Sequence, residues 1–381
     1  MSKRNGLILQ NINVDGIGLE IGPSFSPICP KSKGYNIEII DHLDKEGLIN
    51  KYKNDPNVAD LIHNIEEVDY VWSGQPYSQL IGKTEYYDYI IASHVIEHCV
   101  DIVEFLSECS KILKQDGTIS LAIPDKRYTF DYFREITSIR TVIDNHVYRE
   151  HFNHSMGTYV DHNLNIVSLD QGGSYLPNSA HLLKEYMIYE HDITNLRNII
   201  ENYKEKEYTD CHSWILTPAS FKILVYQLNA LKLVDLYIED IYKEPNSIEF
   251  IAKLKKGKVT FNSNKLLDMQ MEKHVEYKES NSYDLNILEL AKNKKIYIYG
   301  MGNLVDNVIN ILNKLNVSIE GFIISDDQPI INHIFHEKPV YHLSELVSIK
   351  NDIGIVISVA ARLYFIIERN LKDKGFEHYT F

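Results

Sequence analysis

The chain has 381 residues, 44% of them hydrophobic, which is long enough for two domains that each bury a core. Its formal net charge of −14 argues against a polyanionic partner such as nucleic acid, and no apolar run approaches the ~18 residues of a membrane span. The four cysteines form no CxxC pair and no metal-type spacing, so we expect a cytoplasmic protein without membrane insertion.

Strand-like and helix-like runs alternate from the N-terminus, and this alternation is typical of a parallel sheet flanked by helices. The first five strands are predicted at residues 17–21, 36–40, 68–72, 87–92 and 118–123, with a helix at 102–113. The predicted fold class is therefore α/β, with a Rossmann-like domain in the first part of the chain.

Residues 128–210 interrupt this alternation with an aromatic, histidine-rich segment that includes a predicted helix at 181–190. An insertion after the fifth strand lies at the carboxyl edge of the sheet, where ligands bind in open α/β folds. We therefore interpret residues 128–210 as a lid or substrate-recognition region. The first domain, residues 1–256, is completed by a strand at 211–216, a helix N-capped by Thr217, and an antiparallel pair at 234–242 and 248–254.

The polar segment at residues 257–293 is predicted to be a linker with room for a helix. Residues 294–381 read as a second, smaller Rossmann-like unit. Its predicted elements are strands at 296–299, 319–324 and 354–359 and helices at 305–315 and 362–374.

The end of the first strand is the most informative part of the sequence. Glu20 and Gly22 close a buried apolar strand, and Asp41 ends the second strand about twenty residues later, which is the layout of a nucleoside-binding fold. Pro23 and Ser24 stand where a dinucleotide-binding loop carries glycines that approach a pyrophosphate. A pocket that accepts a ribose without cradling phosphates favours S-adenosylmethionine over NAD.

Longer motifs resemble one bacterial branch of the class I S-adenosylmethionine-dependent methyltransferases, whose members are often associated with cell-surface glycan biosynthesis. The resemblance covers roughly residues 10–255 and is carried by residues 18–22, Asp41, 91–98, 123–131, 212–214 and 217–221. The cofactor contacts that it implies are Glu20 and Gly22 at the methionine end, Asp41 at the ribose, Trp72 and Ser73 beside the adenine, Ser93 and His94 near the sulfonium, and Ser24 in the turn.

The adenine region departs from that branch. Related sequences tend to carry an acidic residue where this chain has Trp72, Ser73 and Gly74. We therefore expect the adenine to be held there by stacking and by backbone hydrogen bonds.

Methyl transfer from a sulfonium needs little acid–base help on the donor side, but a hydroxyl acceptor gains about 10²–10⁴-fold from a base. The predicted catalytic bases are His98, Asp125 and His154, with His94 and His151 as further candidates at the carboxyl edge. Simpler interpretations stay open for the histidines. His98 could be a histidine at a helix start that bonds backbone, and His151 and His154 could be packing or solvent-facing residues.

The histidines of the predicted lid also raise the question of a metal site. His146, His151, His154 and His162 include HxxH spacing, which can put two imidazoles on one helix face. No third ligand can be placed from the sequence and a histidine-rich lid explains the pattern, so no metal is predicted. His212 is expected to pack under the lid.

The second unit contains two glycines of a dinucleotide fingerprint, Gly300 and Gly302, but Val305 occupies the place of the third. Asp326 lies downstream, where a ribose-binding carboxylate could stand. The unit resembles small Rossmann-like domains found beside sugar-modifying enzymes, including the N-terminal domain of bacterial sugar acyltransferases that binds nucleotide sugars. Two interpretations stay open: a nucleotide or nucleotide-sugar pocket, and a docking or dimerisation module that would make the protein a homodimer.

The leading hypothesis is an S-adenosylmethionine-dependent methyltransferase that O-methylates a sugar, nucleotide-linked sugar or glycan precursor in bacterial cell-surface polysaccharide (capsule) biosynthesis. One alternative is a nucleotide-sugar oxidoreductase or epimerase built around residues 300–303, which would bind NAD(H). Another is a non-catalytic adaptor that organises glycan-assembly enzymes and does not turn over S-adenosylmethionine.

Overall fold

The computed structural model describes residues 2–55, 58–148, 153–169, 187–189, 193–202, 210–244, 247–279, 283–302, 304–359 and 363–380. The chain divides into two compact units, one formed by residues 1–168 with 188–273 and the other by residues 169–187 with 274–381. Each unit contains its own buried apolar clusters. Among the described helices, none combines the length and apolar character that crossing a bilayer requires.

The first unit is built on a seven-stranded sheet. Its strands are β1 (Gly18–Ile21), β2 (Ile37–Asp41), β3 (Tyr70–Val71), β4 (Tyr87–Ser93), β5 (Leu113–Pro124), β8 (Leu236–Tyr242) and β9 (Glu249–Lys256), while β6 (Val167–Leu169) and β7 (Met187–Tyr189) form a separate pair. The order in the sheet is β3-β2-β1-β4-β5-β9-β8. The first five strands run parallel and β9 is antiparallel to both β5 and β8, so the predicted antiparallel pair at the sheet edge is confirmed.

The helices before residue 280 are α1 (Lys3–Leu9), α2 (Lys45–Tyr52), α3 (Tyr77–Ile81), α4 (Ile102–Ile112), α5 (Ile139–Tyr148), α6 (Met156–Asn165), α7 (Ile193–Asn202), α8 (Pro218–Ala230) and α9 (Ser263–Glu279). The predicted cap of α8 is confirmed, because the Thr217 side chain accepts from the Ser220 N–H in a capping box. α4 is N-capped by Asp101, whose side chain accepts from the N–H groups of Val103 and Glu104.

Alternation along the central strands fixes which helix covers which face of the sheet. On β4, Ile90 and Ala92 pack with the apolar face of α4, whereas Tyr89 and Ile91 pack on the other side with Ile8 of α1. A parallel strand covered on both faces needs a continuous apolar run, which is what residues 89–92 provide. Burial on both faces thus holds β4, and with it the residues at its carboxyl end, in a fixed position.

The second unit contains a six-stranded sheet and three helices after residue 282. The strands are β10 (Lys295–Tyr299), β11 (Ile319–Ile324), β12 (Ile334–Phe335), β13 (Lys338–His342), β14 (Ile353–Ile357) and β15 (Tyr379–Thr380), and the helices are α10 (Tyr283–Asn293), α11 (Val305–Lys314) and α12 (Tyr364–Asp373). The order is β12-β13-β11-β10-β14-β15, and β10 is parallel to both of its neighbours. The predicted α/β fold is therefore confirmed in both units.

Two local predictions differ from the structure. Residues 211–216 are not a strand: the N–H groups of Ser213 and Trp214 donate to the carbonyl of Glu97, so no neighbouring strand forms a ladder with them. Residues 187–189 form β7 within the range predicted as a helix at 181–190, whose other residues lie outside the described ranges. His151 and Asn303 also lie outside them.

Candidate functional site

A cavity of about 1030 Å3 lies at the carboxyl ends of β1 to β4 in the first unit. The strand order reverses there, because β1 pairs with β2 on one side and with β4 on the other, and such switch points are where open α/β sheets bind ligands. The predicted site residues that line the cavity are Gly22, Ser24, Asp41, Trp72, Ser73, His94 and His98. The cavity lining does not include Glu20, Ser93, Asp125 and His154.

The turn after β1 bends sharply beside this cavity. Gly22 has φ +63°, and a Cβ atom at this position would lie 2.9 Å from Val95 Cγ2. Ser24 also lies in the left-handed region, with φ +48°, which is uncommon for a residue with a side chain. The Ser24 N–H donates to Asp41 Oδ2 at 3.0 Å, so the turn is held to the end of β2.

Asp41 is the buried carboxylate at the end of β2. In addition to the Ser24 contact, its Oδ1 accepts from the His42 N–H at 2.8 Å and lies 2.6 Å from His42 Nδ1. A carboxylate has about four acceptor positions, so these three contacts leave capacity for a ligand hydroxyl. Asp41 is thus fixed in orientation and can still bind a diol.

An aromatic wall stands next to Asp41. The indole of Trp72 is 6.3 Å from the ring of Tyr77, which in turn is 6.1 Å from the ring of Phe105. The Trp72 Nε1–H donates to the carbonyl of Gln75 at 2.7 Å, and Ser73 donates through its N–H and its hydroxyl to Gln75 Oε1. These bonds fix flat apolar surface that can accept a purine ring.

Glu20 and Ser93 have other partners than those predicted. The Glu20 carboxylate accepts from the N–H groups of Ile28 (2.7 Å) and Cys29 (3.1 Å), so it holds the loop after β1 rather than facing the cavity. The Ser93 hydroxyl accepts from Arg4 Nη2 at 2.7 Å. Both predictions rested on the family resemblance, which does not reveal the direction of a side chain at the end of a strand.

Burial raises the pKa of Glu20 to about 7 from its ordinary 4.5, although the two backbone bonds oppose this shift. The folded state therefore retains the proton, and the associated stability is fully present below about pH 4.5 and is lost as the pH rises through about 7. In Glu20→Gln this titration disappears. We expect the free energy of unfolding of the wild type, relative to Glu20→Gln, to fall by roughly 3 kcal/mol between pH 4.5 and 8. Urea unfolding of both proteins at several pH values measures this difference. Identical pH profiles of the free energy of unfolding in the wild type and Glu20→Gln would contradict the prediction.

A row of alternating charges runs along one side of the cavity. His94, with φ +54°, lies between Glu249 (Nε2 to Oε2, 2.8 Å) and Glu97 (Nδ1 to Oε1, 3.3 Å). Arg4 continues the row, with its Nε 2.5 Å from Glu249 Oε1. Burial acts to lower the pKa of His94, but Glu249 and Glu97 outweigh it and raise the pKa to about 9. His94 is therefore a cation at neutral pH.

Like the further candidate His94, His98 lines the cavity, whereas the other predicted catalytic bases, Asp125 and His154, do not. Its Nδ1 lies 2.8 Å from Asp210, and its ring packs edge-on against His212 with centroids 4.6 Å apart. Burial acts to lower the pKa of His98, but Asp210 and Glu97 outweigh burial and raise it. His98 is thus held in place by a neighbouring carboxylate while it faces the ligand space.

Asp125 and His154 lie in polar clusters away from the cavity lining. Asp125 is fully buried, and its oxygens contact Arg127 Nε (2.9 Å), Arg127 Nη2 (2.6 Å) and Lys243 Nζ (2.6 Å). Burial acts to raise its pKa, but the two cations lower the pKa below its usual range, which makes Asp125 a weak base. His154 Nδ1 lies 2.6 Å from the Ser213 hydroxyl, and burial lowers its pKa to about 4.

The ion pairs of Asp125 predict a structural role. Asp125→Asn removes the negative charge and leaves Arg127 and Lys243 uncompensated, so we expect unfolding to become easier by about 3–5 kcal/mol. The control is Asp116→Asn at an exposed position, which we expect to change stability by about 0.5 kcal/mol or less. Chemical denaturation of the two variants measures the difference. Equal free energies of unfolding for Asp125→Asn and Asp116→Asn would show that the fold does not need the Asp125 carboxylate to balance Arg127 and Lys243.

Several polar residues of the cavity were not predicted. The lining also includes Gln75, Asp101, Glu104, Glu108, Asn153 and Asp210. Glu97 lies within the motif 91–98 but was not assigned a role, and His212 was expected only to pack. Asp101, at the N-cap of α4, and Glu104 and Glu108 within it follow helical spacing, a signal in the sequence that could have identified them, whereas Gln75, Asn153 and Asp210 come from segments far apart in the chain.

The second unit has a tight turn at its own switch point. Gly300 has φ +105°, and a Cβ atom there would lie 2.5 Å from the carbonyl oxygen of Ser358, which explains the glycine. Asp326 Oδ1 accepts from the Ser344 N–H at 2.9 Å, and its Oδ2 lies 2.8 Å from Lys374 Nζ. A ribose at this position would share the carboxylate with a lysine.

Comparison with known protein families gives two matches. Residues 59–121 match the family model described as methyltransferase domain, and residues 292–380 match the one described as C2185-like, N-terminal. A comparison with curated proteins gave no match.

Solved structures of methyltransferases are also similar to the chain. The CcbJ methyltransferase from Streptomyces caelestis is 9% identical, with a TM-score of 0.34 over 66% of this chain and 94% of that chain. A SAM-dependent methyltransferase from Methanosarcina mazei is 13% identical, with a TM-score of 0.34 over 68% and 99%. The methyltransferase-domain match over residues 59–121 falls within the doubly wound sheet that borders the cavity, and it supports an S-adenosylmethionine-dependent methyltransferase.

Proposed function

We propose that the protein transfers a methyl group from S-adenosylmethionine to a hydroxyl of a sugar, nucleotide-linked sugar or glycan precursor in bacterial cell-surface polysaccharide synthesis. The observation that supports this proposal is the arrangement of the cavity. Asp41 and Trp72 lie on the β2–β3 side of β1, whereas His98 follows β4 on the opposite side. One cavity thus joins a nucleoside-type surface to a polar, histidine-containing surface.

The residues of the first surface fit the cofactor. Gly22 provides an open turn for the amino-acid tail, Asp41 has acceptor capacity for the ribose hydroxyls, and the wall formed by Trp72 and Tyr77 suits the adenine. When bound, the cofactor supplies a methyl group already activated by a positive sulfur. The cavity volume of about 1030 Å3 lies at the upper end of the range for small-molecule sites, so a second ligand has room.

The second surface suits an acceptor rich in hydroxyl groups. His98, Asn153 and Asp210 line it, and each carries hydrogen-bonding atoms. Orienting a hydroxyl in such a site can contribute up to about 7–11 kcal/mol of barrier reduction, more than acid–base assistance alone. We place the acceptor hydroxyl against His98, because His98 lines the cavity on the side of β1 opposite Asp41, whereas Asp125 and His154 do not line it.

Calorimetric titration of the purified protein with S-adenosylmethionine tests the cofactor half of the proposal, and absence of binding at millimolar ligand with folded protein would overturn it. A panel of sugars, nucleotide sugars and glycan fragments screened with methyl-labelled cofactor tests the acceptor half. If only hydroxyl compounds other than sugars were labelled, the proposed acceptor class would be wrong and the proposed enzyme class would stand.

For the second unit, we infer either a nucleotide or nucleotide-sugar site at the Gly300 turn or a docking and dimerisation role. The turn lies at the switch point of its sheet, which supports the first hypothesis, while the Asp326–Lys374 pair competes with it. Quenching of protein fluorescence by NAD(H) or a nucleotide sugar would support a binding site. Dimers of the full chain in sedimentation, without nucleotide binding, would support docking.

A further inference from the structure

A compact group of potential metal ligands lies beside the acceptor end of the cavity. Glu97, His98 and His212, which we name the EHH cluster, each offer a ligand atom, and these atoms lie within 4.8 Å of one another. Among the residues that the structure describes, this is the one group of three or more His, Cys, Asp or Glu residues with such spacing. His98 connects the cluster to the cavity lining.

Glu97 is the least expected member of the cluster. Its side chain is fully buried, and neither carboxylate oxygen makes a hydrogen bond. Its charged neighbours are His94 Nδ1 at 3.3 Å and His98 Nε2 at 3.9 Å from Oε1. Buried carboxylates usually accept several short hydrogen bonds, so a carboxylate with open acceptor positions suits a cation that it can coordinate.

The two imidazoles are held in the way that metal-binding histidines usually are. His98 Nδ1 lies 2.8 Å from Asp210, and His212 Nδ1 lies 2.6 Å from Asp131 Oδ2. Asp131 is itself fixed by Arg134 Nη1 at 2.8 Å. A carboxylate on Nδ1 sets the tautomer and orientation of the ring and leaves Nε2 as the ligand atom.

We propose that Glu97, His98 and His212 bind a divalent transition-metal ion of the Zn²⁺ or Co²⁺ type. Two imidazole nitrogens and one carboxylate oxygen are the donor set of such ions, and three protein ligands leave a position open, as catalytic sites require. Metal–ligand bonds of about 2.0–2.1 Å in a tetrahedral site place the ligand atoms roughly 3.4 Å from one another. The distances between the ligand atoms of the EHH cluster must therefore shorten by about an ångström when the ion binds.

The open position gives the ion a role that rests on the proposed function. An acceptor hydroxyl bound there would have its pKa lowered by the ion, with the released proton passing to water, and His98 would then act as a metal ligand in place of the general base. The cluster differs from the histidines considered in the sequence. His146 instead pairs with Asp101 at 2.8 Å, and His154 with the Ser213 hydroxyl at 2.6 Å.

The test uses the full chain, stripped with a chelator and titrated with Zn²⁺ and with Co²⁺ in the absence of cofactor and acceptor. We expect one ion per chain by calorimetry and elemental analysis, with a dissociation constant in the micromolar range or below. Bound Co²⁺ should show visible absorption of a four- or five-coordinate site. Folded protein that binds neither ion tighter than about 100 µM would overturn the proposal.

Variants identify the ligands. Glu97→Gln and His212→Ala should each weaken binding at least about 100-fold, because loss of even a supporting residue costs about 10–100-fold. His146→Ala is the matched control and should bind as the wild type. His98→Ala, at the cavity surface, serves if the buried variants do not fold. Wild-type affinity in a folded Glu97, His98 or His212 variant would exclude that ligand. Intact S-adenosylmethionine binding alongside absent metal binding would overturn only the metal proposal.

Discussion

Replacement of Asp41 by Ala is expected to weaken S-adenosylmethionine binding at least about 100-fold. Hydrogen bonds to a charged carboxylate contribute about 1.5–3 kcal/mol each, and a ribose diol can make two of them. The substitution also removes the hydrogen bond from the Ser24 N–H to Asp41 Oδ2, and so loosens the turn at the cavity. Calorimetric titration of the two proteins measures the ratio of dissociation constants.

The control for this substitution is Asp44→Ala, three residues further along the chain. Asp44 caps α2 by accepting from the Gly47 N–H, and it does not line the cavity. We expect the control to lose about 1 kcal/mol of stability and to keep its cofactor affinity. Equal affinities of Asp41→Ala and the wild type would remove Asp41 from the cofactor site.

Replacement of His98 by Ala is expected to lower the rate of methyl transfer about 100-fold or more while the cofactor dissociation constant changes by less than about threefold. Activating a hydroxyl contributes about 10²–10⁴-fold, and His98 follows β4, on the opposite side of β1 from Asp41. The measurement is the turnover number with an acceptor found in the screen, next to a cofactor titration. A change confined to the acceptor KM would assign His98 to binding instead.

His63→Ala is the control for that measurement, because His63 is exposed and lies outside the cavity lining. We expect its turnover to equal that of the wild type. Loss of cofactor binding in His98→Ala would indicate that the substitution disturbs the whole cavity, and the assignment of His98 to the acceptor side would then fail.

The sequence predicted the scaffold well because the scaffold depends on local patterns. Continuous apolar runs identify the buried parallel strands, and the residue that follows such a strand must lie at the carboxyl edge of the sheet. Gly22, Asp41, Trp72 and His94 reach the cavity for that reason. The same reasoning identified the second unit from its alternating strands and helices.

The direction of each side chain at a strand end could not be predicted in the same way. Asp125 follows β5 as expected, but Lys243, its partner from 118 residues away, draws it into an ion pair. The EHH cluster brings Glu97 and His98 against His212 from a segment that looks like a strand. Because the N–H groups of that segment bond to the carbonyl of Glu97, its path depends on tertiary contacts that no local pattern records.

The charge row beside the cavity begins at Arg4 in α1, and so connects this helix to the cavity. A change that displaces α1 would disturb the guanidinium that balances Glu249, and through Glu249 the position of His94.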